Sequence, residues 1–300
     1  MTDLDSAVAA LQAGLLVAFP TETVYGLGAD ACNDEAIARV FAAKGRPTNH
    51  PVIVHLASVE QLAVWSRDLP DVAVNLAHAF SPGPITFLVH KAKHVSSAVT
   101  GGRDTVGLRI PNHPVALALL AQFGDGVVGP SANRFGHVSP TSAADVLADL
   151  GDRVEVILDG GPCDVGIEST IVDCTTDPVT ILRRGAVTPE MIEVVLGMMP
   201  LDPTGPSRAP GMLASHYTPR CAIVLVADIT EAHAVKSTIA GRVGILDPGL
   251  DLAVYAHGLY GWLRDADRRN LDTLIVVRPA NVGLGSAILE RLTKAAAPRR

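Results

Sequence analysis

The sequence predicts an α/β protein, with a twisted, mixed parallel and antiparallel sheet and flanking helices followed by a smaller α/β unit. Short apolar runs typical of buried strands alternate with helical periodicity, and successive strands are joined in some places by helices and in others by tight turns. Five prolines and two glycines also fall between residues 200 and 219, which is the composition of a stiff linker. We therefore predict domains at 1–199 and 221–300, joined by a linker at 200–220.

The first domain is predicted to begin with a helix and a buried strand. Residues 3–13 place apolar side chains on one helical face and stop at Gly14, and residues 15–19 are almost wholly apolar. Asn33 or Asp34 can cap the next helix, whose C-terminus carries Lys44. The other predicted strands are 52–56, 85–90, 106–110, 127–129, 154–158, 170–174 and 179–182, and the other predicted helices are 58–67, 72–79, 114–122, 142–150 and one beginning after Thr188.

Beyond the linker, strand and helix alternate regularly. Apolar runs at 221–227, 243–246 and 274–277 are separated by helical patterns at 230–240 and 255–264, and a last helix is predicted at 284–296. This alternation favours a small Rossmann-like α/β domain with a parallel sheet.

Composition restricts the class of protein. A hydrophobic content of 48% with 18% charged residues is typical of a soluble globular protein, and a formal net charge of -7 opposes loose binding to a polyanion. The four cysteines form no Cys-x-x-Cys pair and the ten histidines show no metal-ligand spacing, so neither a disulfide framework nor a metal site is predicted. Because the first residues lack a signal-peptide pattern and charges interrupt every apolar run, we expect a cytoplasmic protein with no membrane span.

The strongest candidate for chemistry is the stretch from residue 19 to residue 47. A strand ends at Phe19, a hydroxyl-rich loop follows, and a helix then leads to Lys44 and Arg46, which flank a glycine. A point charge beside a bidentate fork suits a polyphosphate. The alternative is a solvated helix end, where cations are favoured by the helix dipole.

Three further polar segments adjoin predicted strands. Ser131 and Asn133 are two residues apart in an extended segment, so both can reach one ligand, although a capping turn would also explain them. Arg109 lies inside an apolar strand and needs either a ligand carboxylate or a buried acid as partner. Arg183 and Arg184 follow another apolar strand, and at least one of them is expected to lie in solvent.

Together these segments occur in an order that resembles the YrdC-type threonylcarbamoyl-AMP synthases in their long, two-domain form. The matching runs are PTETVYGL at 20–27, KGRP at 44–47, PVIVH at 51–55, RIP at 109–111, PSAN at 130–133, SPT at 139–141, EST at 168–170 and LR at 182–183, with PGM at 210–212 and HYTP at 216–219 in the linker. The resemblance spans nearly the whole chain. It implies a YrdC-like fold for the first domain.

The resemblance also implies an activity. Enzymes of this family make L-threonylcarbamoyladenylate from L-threonine, bicarbonate and ATP, with release of pyrophosphate, as the first step of tRNA threonylcarbamoyladenosine synthesis. ATP would be used with Mg2+, bound chiefly through the phosphates. A downstream threonylcarbamoyl-transferase complex would accept the adenylate, and direct binding of tRNA is not expected to be strong because the chain is acidic.

Residue by residue, the resemblance implies a site with two halves. The ATP half would comprise Lys44, Arg46, His50, Thr105, Asn133, Thr141, Arg183 and Tyr217, of which Lys44 and Arg46 would be catalytic. The threonine half would comprise Thr23, His55, Arg109, Ser131 and Ser169. No residue is implied as a metal ligand. The linker would act as a lid that shields the adenylate from water.

The chain departs from the family pattern at a few positions, and two alternative functions are open. His50 stands where the family commonly has Asn, Arg184 stands where it often has Pro, and residues 213–215 lack the basic side chains frequent there. The first alternative is a YrdC-like module that binds double-stranded RNA, which the acidic total disfavours. The second is a carbamoyl-transfer module of the kind used in hydrogenase maturation, which is normally fused to regions absent from this sequence.

Overall fold

The computed structural model of the protein describes residues 3–203 and 217–297 and confirms the predicted α/β class. Within these ranges, one mixed sheet of nine strands is followed by a parallel sheet of three strands. Most of the predicted linker, including the runs at 210–212 and His216, lies outside the described residues. The proposed lid falls there too, and the domain boundaries stay a prediction. No helix in the described part of the chain combines the length and apolar character needed to cross a membrane.

The large sheet has the strand order β7-β1-β2-β6-β3-β5-β4-β8-β9. Three of its pairs are parallel (β1 with β7, β3 with β5, β4 with β8) and the others are antiparallel. The strands are β1 (Val17–Phe19), β2 (Gly26–Asp30), β3 (Ile53–His55), β4 (Ile85–His90), β5 (Thr105–Arg109), β6 (Val127–Val128), β7 (Val156–Ile157), β8 (Thr170–Asp173) and β9 (Thr180–Arg183).

This topology brings several strand ends to the same edge of the sheet. His55 and Arg109 are paired in register at the ends of the parallel strands β3 and β5. Because β4 runs antiparallel to β5 but parallel to β8, the start of β8 lies toward the same edge, and so does the end of β9 at Arg183. The carboxyl ends of parallel strands are a common location for binding sites.

Helices flank the large sheet. The second of them, α2 (Asp34–Lys44), agrees with the prediction: Asn33 accepts hydrogen bonds from the first turn, and Gly45 ends the helix in the left-handed region, with a φ of 64°. The other helices before the linker are α1 (Asp3–Gln12), α3 (Gln61–Trp65), α4 (Asp71–Phe80), α5 (Ser97–Thr100), α6 (Pro114–Phe123), α7 (Ala143–Leu150) and α8 (Pro189–Leu196).

The sequence did not predict strand β2, which forms the second half of the expected loop. Its residues GLGAD lack the β-branched side chains that signal a strand. The two glycines are required by close packing, since a Cβ atom on Gly26 would lie 2.9 Å from the ring of Phe19 and one on Gly28 would lie 2.9 Å from the carbonyl oxygen of Val17. Close packing between strands therefore replaces the usual strand pattern here.

The second sheet and its helices form the C-terminal unit, residues 222–297. Its strands are all parallel, in the order β10-β12-β11, as the regular alternation predicted. The elements are β10 (Ala222–Val226), α9 (Ile229–Lys236), β11 (Val243–Leu246), α10 (Leu252–Arg268), β12 (Thr273–Val277) and α11 (Leu284–Ala296).

The C-terminal unit packs on the large sheet through an apolar cluster that both share. Val24 and Ile167 lie in one cluster with Leu259 and Tyr260 of α10. Gly166 allows the α10 backbone to approach, because a Cβ atom there would lie 2.5 Å from the carbonyl oxygen of His257. This contact places α10 directly behind the strand-end edge described above.

Candidate active site

A small cavity opens at this edge of the sheet. It has a volume of about 50 Å³, and residues from eight separate segments line it. The lining residues are Val24, Arg46, Val52, Ile53, His55, Arg109, Gly129, Pro130, Ser131, Glu168, Arg183 and Tyr217. The charged residues of the lining are three arginines and one glutamate. Because positive charge is in excess, the cavity favours anionic ligands.

Arg46 and Arg183 form the cationic side of the cavity. Burial, together with the charge of Arg183, lowers the pKa of Arg46 to about 10, so the Arg46 guanidinium stays charged at neutral pH. Burial also lowers the pKa of Arg183. Arg46 donates to the carbonyl oxygen of Pro51 at 2.8 Å and lies over the ring of Phe135. Two cations that repel each other across a cavity are stabilised by an anion between them.

Arg183 is oriented by the segment that precedes β8. Its Nε donates to the carbonyl oxygen of Ser169 at 2.9 Å, and its Nη2 donates to the hydroxyl oxygen of the same residue at 2.9 Å. The Ser169 hydroxyl also contacts Thr86 Oγ1 at 2.8 Å. Ser169 is fully buried. Its hydrogen bonds hold the Arg183 guanidinium in place.

Lys44 holds the 130–133 loop. Its ammonium donates to the carbonyl oxygen of Asn133 at 2.6 Å and to the carbonyl oxygen of Ser131. Burial and the charge of Arg46 lower the pKa of Lys44 well below its ordinary value. Lys44 is thus bound to the loop carbonyls. Of the two cations that flank Gly45, it is Arg46 that lines the cavity.

Arg109 is paired with a buried acid, one of the two alternatives that the sequence left open. Its Nη2 lies 2.8 Å from Glu22 Oε2 and donates a hydrogen bond of 2.8 Å to Thr23 Oγ1. Because that hydrogen bond is directed at Thr23, the contact with Glu22 is electrostatic rather than a hydrogen bond. Thr23 is in turn held by the hydroxyl of Thr21 at 2.8 Å.

His55 lies beside Arg109 with its ring edge-on to Phe19, at a centroid distance of 5.4 Å. Burial and the charge of Arg109 lower the pKa of His55 well below 6.5, so the imidazole is neutral at pH 7. A neutral imidazole in a cavity can accept one hydrogen bond and donate another.

Besides the two Glu22 carboxylate oxygens, which face Arg109, four buried side-chain atoms in this region have no hydrogen-bond partner among the described residues. Two are guanidinium Nε atoms, one is an imidazole nitrogen and one is an amide oxygen: Arg46 Nε, Arg109 Nε, His55 Nδ1 and Asn133 Oδ1. Buried polar groups are nearly always paired. Three of the four atoms belong to side chains that line the cavity, which indicates a site that a polar ligand completes.

The predicted site residues fall into three groups. Those that line the cavity are Arg46, His55, Arg109, Ser131, Arg183 and Tyr217. Those buried around it are Thr23, Lys44, Asn133 and Ser169. Those outside the lining are His50, Thr105 and Thr141. Thr105 starts β5 while Arg109 ends it, which separates them by about 13 Å at strand spacing.

Two parts of the chain match known family profiles. Residues 9–185 match the Sua5, YciO and YrdC family described as "Telomere recombination", and residues 187–297 match "Threonylcarbamoyl-AMP synthase, C-terminal domain". The chain belongs to the two-domain threonylcarbamoyl-AMP synthase family. The resemblance drawn from the motifs is therefore confirmed.

Relatives in this family are similar over nearly the full length. The threonylcarbamoyl-AMP synthase of Pyrococcus abyssi is 38% identical over 314 residues, covering 96% of this chain and 92% of that protein. The one from Bacillus subtilis is 38% identical over 320 residues, covering 98% and 92%. The crystal structure of P. abyssi Sua5 complexed with L-threonine matches with a TM-score of 0.93 at 38% identity, covering 98% of this chain and 94% of that one.

One more distant structure bears on the carbamoyl-transfer alternative. Full-length HypF in its phosphate- and nucleotide-bound form matches with a TM-score of 0.54 at 21% identity, covering 61% of this chain and 29% of that one. At that identity the match shows a shared fold alone.

Glu168 is not among the site residues that the motifs imply, although it belongs to the matching EST run at 168–170. Glu168 lines the cavity and accepts hydrogen bonds from Ser139 Oγ at 2.6 Å, Tyr260 OH at 2.7 Å and Arg291 Nε at 3.2 Å. Burial alone would raise the pKa of Glu168, but Arg291, Arg183 and the hydroxyl donors lower it to about 2. The carboxylate is therefore charged at neutral pH.

A signal for Arg291 was present in the sequence. It lies on the same helical face as Ala287, Ile288, Leu292 and Ala295, all of which are buried. A charged residue on the apolar face of a helix needs a partner. The identity of that partner, 123 residues away, could not be read from the periodicity.

The charge on Glu168 predicts a loss of stability in acid. Because its folded pKa of about 2 lies below the ordinary 4.5, its contribution is present above pH 4.5 and is lost as pH falls toward 2. The difference in unfolding free energy between the wild type and Glu168→Gln should shrink by about 2 kcal/mol from pH 6 to pH 3, measured by urea unfolding. Exposed Glu193→Gln is the control. Parallel pH curves for wild type and Glu168→Gln would contradict the assignment.

Proposed function

We propose that the cavity binds L-threonine beside ATP and synthesises L-threonylcarbamoyladenylate. L-threonine, bicarbonate and ATP would give the adenylate, pyrophosphate and water. The observation that carries the proposal is that three buried polar atoms without a hydrogen-bond partner, Arg46 Nε, Arg109 Nε and His55 Nδ1, belong to side chains lining a cavity with three arginines. The full-length similarity to a Sua5 complexed with L-threonine supports the choice of amino acid.

The threonine half of the site would lie at the ends of β3 and β5. Arg109 has an unpaired Nε for the substrate carboxylate, while Glu22 and Thr23 fix its orientation. The neutral His55 can accept from the threonine hydroxyl or donate to the carbamate. Burial of both groups keeps water away from the reacting centre.

The nucleotide half would lie between Arg46 and Arg183. The threonine amine takes up CO2 as a carbamate, one carbamate oxygen bonds to the α-phosphorus of ATP, and the bond from that phosphorus to pyrophosphate breaks. No protein nucleophile is required. The two guanidinium groups would stabilise charge as pyrophosphate leaves, which is electrostatic catalysis. Lys44 would contribute by holding the 130–133 loop.

Mg2+ would enter with ATP rather than on protein ligands. Within residues 3–203 and 217–297, no three His, Cys, Asp or Glu side chains come together as a metal site. Glu168 is the carboxylate of the cavity lining, and both its oxygens already accept hydrogen bonds from protein groups. Mg2+ would therefore be bound through the phosphates of the substrate ATP.

The proposal extends to the fate of the product and to the location of the protein in the cell. Because an acyl adenylate hydrolyses readily, a threonylcarbamoyl-transferase complex acting on tRNA would consume the product downstream. A cytoplasmic location is supported by the four cysteines, none of which is paired in a disulfide.

The test is pyrophosphate release from ATP and Mg2+ with L-threonine and bicarbonate added singly and together. We expect release only when both are present, and little with L-serine if the site recognises the threonine methyl group. Arg46→Ala should abolish it. Release without threonine would refute the proposal. AMP formation from carbamoyl phosphate would favour the carbamoyl-transfer alternative, and salt-sensitive binding of double-stranded RNA without any release would favour the RNA-binding one.

A further inference from the structure

A single guanidinium from the C-terminal unit contacts two residues of the cavity lining and the backbone just beyond a third, Arg183. Arg291 Nε donates to Glu168 Oε2 at 3.2 Å, its Nη1 donates to the carbonyl oxygen of Arg184 at 2.5 Å, and its carbon Cζ lies 5.8 Å from the ring centroid of Tyr217. The Arg291 side chain is 1% exposed. It does not line the cavity itself.

These contacts join two strand ends. Glu168 lies just before β8, and Arg184 lies just after β9. Ser169 directly follows Glu168, and Arg183 directly precedes Arg184. Ser169 orients the Arg183 guanidinium through two hydrogen bonds. The distance and angle between these strand ends therefore determine where the Arg183 guanidinium lies in the cavity.

Tyr260 supports the same contact from α10. Its hydroxyl donates to Glu168 Oε2 at 2.7 Å, and its ring stacks on that of Tyr217 at a centroid distance of 5.5 Å. The charge on Glu168 requires such partners, because a buried carboxylate without them is strongly destabilised. Each of these partners of Oε2 belongs to the C-terminal unit.

We propose that Arg291 is a positioning residue for the nucleotide half of the site. It acts through Glu168 and the ends of β8 and β9, and it makes the C-terminal unit a required part of the active site. This inference rests on the proposed function, since it assigns Arg183 to ATP. The threonine half depends less on Arg291, because Arg109 is oriented by Glu22 and Thr23 within the large sheet.

The test compares Arg291→Met with Arg269→Met, which removes an exposed arginine whose ion pair with Asp265 lies within α10 and its C-terminal cap. We expect Arg291→Met to raise KM for ATP about tenfold or more while KM for threonine changes less than about threefold, and Arg269→Met to change neither. Arg291→Lys should raise KM for ATP less than Arg291→Met does, because an ammonium can reach either Glu168 or the Arg184 carbonyl but not both. Tyr260→Phe, which removes one donor to Glu168 and keeps the ring, should raise KM for ATP by a smaller factor.

Direct binding separates a failure of this inference from a failure of the proposed function. ATP and threonine affinities are measured singly by calorimetry, without turnover. If the wild type binds ATP and threonine but releases no pyrophosphate, the proposed reaction is refuted. The effect of Arg291→Met on ATP affinity can still be measured in that case. A folded Arg291→Met protein with wild-type ATP affinity, or one that loses ATP and threonine affinity equally, would overturn the positioning role. If Arg291→Met does not fold, Arg291→Lys and Tyr260→Phe decide, and unchanged ATP affinity in both would overturn it.

Discussion

Replacing Arg183 with methionine is expected to lower kcat/KM for ATP by about two to three orders of magnitude in a protein that remains folded. The side chain is buried against Ser169, whose hydroxyl keeps a second contact with Thr86 when the guanidinium is removed. Methionine fills much of the same volume, so the loss is one of charge and hydrogen bonds rather than packing. Steady-state pyrophosphate release at varied ATP measures the effect.

The next residue in the chain provides a matched control. Arg184 lies outside the cavity lining, its side chain is about a third exposed, and it pairs with Asp202 at 2.5 Å. Arg184→Met should therefore leave kcat/KM within a factor of about three, as expected for an exposed ion pair. Equal losses in the two variants would show that Arg183 has no special role.

Replacing Arg109 with methionine should both destabilise the protein and remove threonine binding. The change leaves Glu22 charged, buried and without its cation, which costs about 3–5 kcal/mol of unfolding free energy. It also frees Thr23 from its donor and removes the group proposed for the substrate carboxylate. Urea unfolding measures the first effect, and calorimetry with L-threonine measures the second.

A double variant separates the two effects. Arg109→Met combined with Glu22→Gln removes both charges, so most of the lost stability should return, whereas threonine binding should not. Recovery of threonine binding in the double variant would show that Arg109 serves only to neutralise Glu22. Stability that stays low would show that packing, rather than the unpaired charge, accounts for the loss.

Much of the fold could be predicted because its local signals agree with its tertiary structure. The helix α2 has an Asn cap and a glycine at the position that ends it, and both were visible in the sequence. The C-terminal unit alternates strand and helix without interruption, which fixed its parallel sheet. Strand β2 could not be predicted, because its glycines are selected by contact with Phe19 and Val17, and such a contact leaves no periodic pattern.

The segments that form the site could be predicted from the sequence, but the role of each side chain in it could not. Six of the residues implied by the family motifs line one cavity. The sequence could not show that the Lys44 ammonium is enclosed by loop carbonyls, or that Glu168 is held from α10 and α11. Those contacts join residues 89, 92 and 123 positions apart, and they depend on how the two sheets pack.

We expect the chain to join a carbamate to AMP rather than to activate the carboxylate of threonine. Incubation with [14C]bicarbonate, L-threonine and ATP labelled in adenine, followed by chromatography, tests it most directly. We expect one nucleotide product that carries both labels, forms only with threonine, and appears in equal amount to pyrophosphate. Pyrophosphate release with no 14C in the nucleotide product would contradict it.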